Sequence, residues 1–168
     1  MRPTFAAIVT GLLLNALLIP AVQALEPPTG RVLLTVSGDV ATTNVGDEAH
    51  FDREMLNALP QRETVTSTPW HDGVMRFTGP MLRDLLAAVD SQGDELRVTA
   101  LNDYSAEVPV ADAMAYPVIL AMTMNGEPLS IRDQGPLFII YPFDEHPELL
   151  NEETIVRSVW QVNRIEVR

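Results

Sequence analysis

Apolar and polar residues alternate along much of this chain, and that pattern indicates β-strands. Every second residue is apolar in runs 96–100 and 104–108, and Asn102-Asp103 between them predicts a hairpin. Asn125-Gly126 predicts a second hairpin, because this dipeptide readily adopts the positive φ angles of a two-residue turn. Further strands are predicted at residues 31–36, 64–70, 118–124, 137–141 and 160–167.

Two segments have the periodicity of amphipathic helices. Residues 82–89 carry leucine or valine at positions i, i+3, i+4 and i+7, and Pro80 suits the first helical position. Residues 47–59 repeat apolar side chains at a spacing of four, with Asp47 as the expected N-cap. Residues 147–158 are either a short helix or irregular. Together these patterns predict an α+β fold, mostly β, with two or three short helices.

The first 24 residues have the three parts of a secretory signal. Arg2 provides the positive start, residues 5–19 form an apolar stretch in which Asn15 is the one strongly polar member, and Val22-Gln23-Ala24 resembles a signal-peptidase site. An uncleaved membrane anchor is the alternative, but the apolar stretch is short for a membrane span. The sequence therefore predicts cleavage after Ala24, a periplasmic or secreted location, and one domain at 25–168 without a membrane span.

The charge of the chain is strongly negative. Eleven arginines face 23 Asp and Glu residues, no lysine is present, and the formal net charge is −12. Such a surface repels phosphate backbones and anionic lipids, so nucleic acid is not an expected partner. Cysteine is absent as well, so the fold uses no disulfide.

Several segments resemble a known family. Residues 77–86 (FTGPMLRDLL) resemble the "aromatic-x-Gly-x-x-Leu-x-x-Leu-Leu" segment of the sulfite oxidase-like molybdopterin-binding domain. Asn125–Leu129, Gly135-Pro136-Leu137 and Tyr141-Pro142 resemble that family's second signature, in the same order. The resemblance implies a sulfite oxidase-type molybdopterin-binding fold.

A narrower resemblance is to short, exported, stand-alone versions of that domain. The segments that fit this group are Asn102-Asp103-Tyr104, residues 116–121, Val159-Trp160-Gln161 and residues 164–167.

The cysteine that the resemblance leads us to expect is missing from this chain. In the full enzymes a cysteine thiolate ligates molybdenum, and it would lie on the strand before Trp70, where this chain reads Thr64-Val65-Thr66-Ser67-Thr68-Pro69. Hydroxyls such as those of Ser67 and Thr68 replace a thiolate poorly. We therefore expect no cofactor, no catalytic residue and no metal site, although the resemblance itself implies molybdopterin.

Two loops contain candidate ligand-binding residues. Arg132 and Asp133 lie in the loop that borders the cofactor cleft in the family, where Arg132 either clamps an anion or forms an exposed loop charge pair with Asp133. Asn102, Asp103 and Tyr104 either orient a small ligand or simply form a hairpin tip.

Two histidine-containing segments and five aromatic residues complete the candidates. His71-Asp72 and Asp144-Glu145-His146 would form a metal site only if the fold joined them, and solvated loops are the expected alternative. The aromatic residues on strand patterns are expected in the core rather than beside a ligand; they are Trp70, Phe77, Phe138, Tyr141 and Trp160.

Two functions of different class follow. The first is an exported binding or accessory module whose partner is a small molecule or a periplasmic or membrane sensor protein. The second is a molybdopterin-dependent oxidoreductase with a non-cysteine metal site. Fold similarity alone does not decide between them.

Overall fold

Residues 25–168 are described by a computed structural model, and the predicted signal segment 1–24 lies outside them. No helix within 25–168 is long and apolar enough to cross a membrane. The strands are β1 (Leu34–Gly38), β2 (Ala49–Phe51), β3 (Gln61–Thr68), β4 (His71–Pro80), β5 (Glu95–Ala100), β6 (Ser105–Pro109), β7 (Ile119–Ala121), β8 (Thr123–Met124), β9 (Glu127–Pro128), β10 (Phe138–Ile140) and β11 (Val162–Val167). The α-helices are α1 (Arg53–Ala58), α2 (Leu82–Ala88), α3 (Val110–Ala115) and α4 (Glu152–Arg157), and 3-10 helices occupy Ile131–Asp133 and Pro147–Leu149.

Three sheets organise this part of the chain. The largest has the order β2-β1-β11-β5-β6, in which only the β1–β11 pair is parallel. A second sheet has the order β3-β4-β8-β9, and β7 pairs with β10 in a third. The α+β class is therefore confirmed, and the predicted hairpin of β5 and β6 forms with its alternate residues buried.

The main core lies against one face of the large sheet. Helix α2 buries Leu82, Leu85 and Leu86 there, and Val89 just beyond its end is also buried, as the spacing predicted. Each buried leucine side chain contributes about 1.5–3 kcal/mol relative to an exposed one. Pro80, however, is the last residue of β4 and not the first of the helix.

A smaller core lies between β4 and the β7–β10 pair. Its centre is formed by Phe77 and Phe138, whose ring centroids are 6.1 Å apart. Gly79 makes this packing feasible, because a Cβ there would lie 2.0 Å from the backbone oxygen of Leu120. Gly79, which belongs to the segment that resembles the family, therefore lies where β4 and β7 approach each other closely.

The helix predicted over 47–59 is shorter than its periodicity suggested. Residues 49–51 form β2 and pair with β1, which buries Phe51 on a strand. Asp52, and not Asp47, caps α1, since its Oδ1 accepts a hydrogen bond of 2.9 Å from the Met55 amide. Residues 49–51 form a strand despite their helical spacing, because pairing with β1 satisfies their backbone hydrogen-bonding groups and still buries Phe51.

Other boundaries also differ from the predictions. The predicted strand 118–124 is divided, since β7 pairs with β10 whereas β8 pairs with β4. The hairpin after β8 turns at Asn125 and Gly126, both with positive φ, as predicted. Residues 147–158 contain a 3-10 turn and α4. Four short α-helices are present in 25–168, not two or three, because α3 was not predicted.

Candidate functional site

An apolar cavity opens beside the two tryptophans, and we call it the aromatic cavity. Its volume is about 320 Å³, and no charged residue lines it. Its lining includes Trp70 from the turn between β3 and β4, Trp160 from the segment before β11, Tyr104 just before β6, and residues of α4. The lining residues are Trp70, Ala100, Asn102, Tyr104, Ile155, Val156, Ser158, Val159 and Trp160.

The two tryptophans are held by a third aromatic ring. The centroids of Trp70 and Trp160 are 5.8 Å apart in an edge-to-face arrangement, and both rings contact Phe138, at 5.5 Å and 6.1 Å. Phe138 is fully buried, whereas Trp160 is 37% exposed. The prediction that all five aromatic residues lie in the core is therefore wrong for Trp160 and only partly right for Trp70, because Trp70 is half-buried and both rings line the cavity.

The turn between β3 and β4 orients Trp70. The Thr68 hydroxyl hydrogen-bonds Nδ1 of His71 at 2.8 Å and accepts a longer bond of 3.4 Å from the Trp70 amide. Burial lowers the pKa of His71 below its ordinary value, which favours the neutral imidazole at physiological pH. The polar groups of this turn are therefore engaged with one another.

Gln161 connects the cavity to the loop that contains Arg132. It has a positive φ of 55°, and its backbone N–H donates to the Gln134 carbonyl while its carbonyl accepts from the Leu101 amide. Its side-chain amide donates to the Ile131 carbonyl at 2.8 Å. The rim of the aromatic cavity, the β5–β6 turn and residues 131–134 thus form one hydrogen-bonded unit.

The predicted residues of the β5–β6 turn divide into two groups. Asn102 and Tyr104 line the aromatic cavity, where the Tyr104 hydroxyl donates to the Val156 carbonyl at 3.3 Å. Asn102 Oδ1 accepts from the Tyr104 amide at 3.1 Å, so this side chain also stabilises the turn. Asp103 instead lines a different cleft, together with residues such as Arg97 of the large sheet.

Ser67 and Thr68 lie beside the aromatic cavity rather than in it. They line a shallow cleft of about 400 Å³ that shares Ile155 with the aromatic cavity. Both hydroxyls already have partners, since Ser67 donates to Oδ1 of Asp144 and Thr68 bonds His71.

Arg132 and Asp133 lie on the 3-10 helix of the loop before β10. The Asp133 carboxylate accepts a 2.6 Å hydrogen bond from the Ser130 hydroxyl, which gives it a local structural role. The Arg132 side chain is exposed and is not part of the aromatic cavity lining. The structure therefore links these residues to the cavity only through Gln161 and the backbone.

The histidine-containing segments have separate partners. Glu145 accepts two hydrogen bonds from Arg62, at 2.8 Å and 3.0 Å, and Asp144 is bonded to Ser67. His146 pairs with Glu148, and His71 pairs with Thr68. No cluster of three or more potential His, Asp or Glu metal ligands occurs within residues 25–168.

Helix α4 supplies the part of the site that the sequence did not predict. Ile155 and Val156 line the cavity, and Val156 remains 54% exposed. No signal in the sequence distinguishes this helix, because two adjacent apolar residues on a short helix are also buried together, as Leu85 and Leu86 of α2 show.

Comparison with known proteins identifies the family. A profile described as "Oxidoreductase molybdopterin binding domain" matches residues 39–143. The chain belongs to this family. The molybdopterin-binding-domain profile spans β2 to β10, and therefore includes Trp70 and Tyr104 but not Trp160.

Among solved structures, the chain is similar to the sulfane dehydrogenase SoxCD from Paracoccus pantotrophus. The two share 21% sequence identity with a TM-score of 0.59 over 80% of this chain, which shows the fold. The match covers 37% of the SoxCD chain, so this chain spans well under half of that protein. No curated protein gives a significant match.

The residues around the aromatic cavity fit molybdopterin poorly. The chain has no cysteine to supply a thiolate, and the hydroxyls of Ser67 and Thr68 are weaker ligands that are already hydrogen-bonded. A pterin phosphate also requires strong cationic or N–H donors, and no arginine lines this cavity. The fold of the molybdopterin-binding family is thus combined here with a cavity of different chemistry.

Proposed function

We propose that this chain is an exported, non-catalytic binding module that holds an uncharged, partly aromatic molecule in the aromatic cavity. The observation that carries the proposal is the pair Trp70 and Trp160, which line a cavity of about 320 Å³ that has no charged residue in its lining. Such a volume suits a small organic molecule, and ligand sites are commonly apolar with a few polar groups that fix orientation.

Two polar groups supply that orientation. The Asn102 side chain and the Tyr104 hydroxyl are both at the cavity wall, and Tyr104 is 47% exposed. Aromatic rings and an amide together recognise a ring that bears a hydroxyl or carbonyl group. Partners in this proposal are a small molecule first, and a periplasmic or membrane sensor protein that responds to the occupied domain.

The proposal includes export with removal of residues 1–24, on the sequence pattern described above. Intact mass of the protein recovered from a periplasmic fraction tests this part. A mature protein that begins at Leu25 is expected, and one that still begins at Met1 would contradict it.

The two tryptophans give a direct test of binding. They are the only tryptophans of the chain and both line the cavity, so their two indole N–H signals in an NMR spectrum report on it alone. Titration of the mature domain with benzyl alcohol, an uncharged aromatic probe, is expected to shift both signals saturably. Absence of any shift at millimolar probe would contradict the proposal.

A matched pair of variants localises the effect. Val156→Asp places a charge at the cavity, whereas Val74→Asp places one on a valine of β4 that is similarly exposed, 60% against 54%. We expect at least a tenfold weaker response for Val156→Asp and an unchanged response for Val74→Asp. Equal responses would mean that the probe binds elsewhere.

The alternative is a molybdopterin-dependent oxidoreductase with a non-cysteine metal site, and membership in the family favours it. Elemental analysis and cofactor extraction on protein purified from its native compartment distinguish the two functions. Our proposal expects neither molybdenum nor pterin, and stoichiometric molybdenum would establish the alternative.

A further inference from the structure

A second cleft, which shares no lining residue with the aromatic cavity, contains two arginines. It has a volume of about 400 Å³ and lies between the segment that leads into β1 and the loop before β10. Arg31 and Arg53 line it together with the polar side chains of Ser130 and Asn163. Within residues 25–168, no acidic residue lines this cleft, which we call the arginine cleft.

Neither arginine of this cleft forms an ion pair within residues 25–168. Four other arginines, Arg62, Arg76, Arg157 and Arg168, each contact a carboxylate, whereas Arg83, Arg97, Arg132 and Arg164 also lack an ion pair within residues 25–168 but do not line this cleft. Carboxylates outnumber arginines about two to one in this chain, so two guanidinium groups without acidic contacts in one cleft form a local positive region on an acidic protein. At physiological salt the more distant acids are screened beyond about 8 Å.

Two acids flank Arg53 in sequence, Asp52 and Glu54; Glu54 does not line the cleft, and Asp52 bonds to other groups. Asp52 directly precedes Arg53, yet its Oδ2 accepts from the Thr29 and Gly30 amides at 2.9 Å and 2.7 Å, and its Oδ1 accepts from the Met55 amide. The Met55 and Gly30 hydrogen bonds hold the pKa of Asp52 below its ordinary value. This carboxylate is therefore committed to backbone donors, and neither of its oxygens is paired with Arg53.

The rest of the cleft indicates an organic rather than an inorganic anion. Leu129 and Ile131 provide an apolar wall, and Ile131 is 55% exposed. Guanidinium groups match carboxylate and phosphate head groups, in a bidentate manner where geometry allows.

From this arrangement we infer that the arginine cleft binds an amphiphilic anion, with a carboxylate or phosphate head group on Arg31 and Arg53 and its apolar body against Leu129 and Ile131. The site is separate from the aromatic cavity and does not depend on the function proposed for that cavity. Its two arginines are different from Arg132, for which anion binding was one of two alternatives in the sequence analysis.

Calorimetric titration of the mature domain with octanoate, octyl phosphate, octanol and inorganic phosphate tests the inference. Octanoate or octyl phosphate is expected to bind at least tenfold more tightly than octanol and than inorganic phosphate, and whichever of the two anions binds more tightly identifies the head group. Equal binding of octanol and both octyl anions would overturn the inference, because the head group would then contribute nothing.

Charge-matched double variants complete the test. Arg31→Gln with Arg53→Gln removes the cationic pair, whereas Arg83→Gln with Arg97→Gln removes the same charge from exposed positions outside the cleft lining. We expect at least a tenfold loss of octanoate affinity in the first variant and less than a twofold change in the second. Equal losses in both would overturn the inference, as would indole N–H shifts showing that octanoate occupies the aromatic cavity instead.

Discussion

The Tyr141 hydroxyl donates a 2.8 Å hydrogen bond to Oδ2 of Asp112, and this bond joins the end of β10 to helix α3 inside the protein. Arg157 of α4 donates to the same oxygen at 3.2 Å, so a single carboxylate connects three elements. Burial, assisted by the Asp112 charge, raises the pKa of Tyr141 well above its ordinary value. The phenol therefore remains protonated and able to donate under physiological conditions.

Tyr141→Phe is expected to lower the free energy of unfolding by about 1–3 kcal/mol, because a hydrogen bond to a charged and partly buried group is lost. A raised phenol pKa stabilises the fold fully below the unfolded-state value of about 10, and this contribution is lost as pH rises above it. Denaturant titrations at pH 7 and above pH 10 measure both effects. Tyr116→Phe is the control, since the Tyr116 hydroxyl makes no hydrogen bond within residues 25–168, and equal losses in both variants would contradict the assigned role.

Asp144 should make stability dependent on acid pH. The Ser67 hydroxyl and amide donate to its carboxylate and hold its pKa below the ordinary value, so the stabilisation is present above about pH 4 and is lost as pH falls through the folded-state pKa. Asp144→Asn is therefore expected to be less stable than the parent at pH 7, with the difference shrinking toward pH 2. Unfolding curves across this range, with the exposed Asp72→Asn as control, measure the difference, and a gap independent of pH would refute the prediction.

Leu85 tests the orientation of α2. Its side chain is fully buried, so Leu85→Ala is expected to cost about 2–5 kcal/mol through lost burial and a residual cavity. Arg83→Ala on the exposed side of the same helix is expected to stay within about 0.5 kcal/mol of the parent. Denaturant midpoints of the two variants give the comparison, and similar midpoints would show that the buried face is assigned wrongly.

Local patterns predicted the elements whose geometry depends on nearby residues. The turn at Asn125-Gly126 and the buried spacing of α2 follow from φ preferences and helical periodicity, and both are confirmed. The α1 cap was misplaced because the pairing of residues 49–51 with β1 depends on a distant segment. Parallel pairing of β1 with β11 has the same long-range origin and leaves no local signal.

The candidate sites were predicted unevenly for a similar reason. Asn102 and Tyr104 are candidate ligand-binding residues by their predicted position at a hairpin tip, and in the fold both line the aromatic cavity. Trp160 was expected in the core because strand periodicity does not distinguish a buried ring from one at the edge of a cavity. Arg31 and Arg53 are 22 positions apart, and only the folded chain brings both to one cleft.

The central position of β11 in the large sheet has a consequence for how the protein is made. Residues 162–167 lie between β1 and β5, so a nascent chain that lacks them has two half-sheets with unpaired inner edges. The domain therefore completes its sheet only after its last strand has left the ribosome.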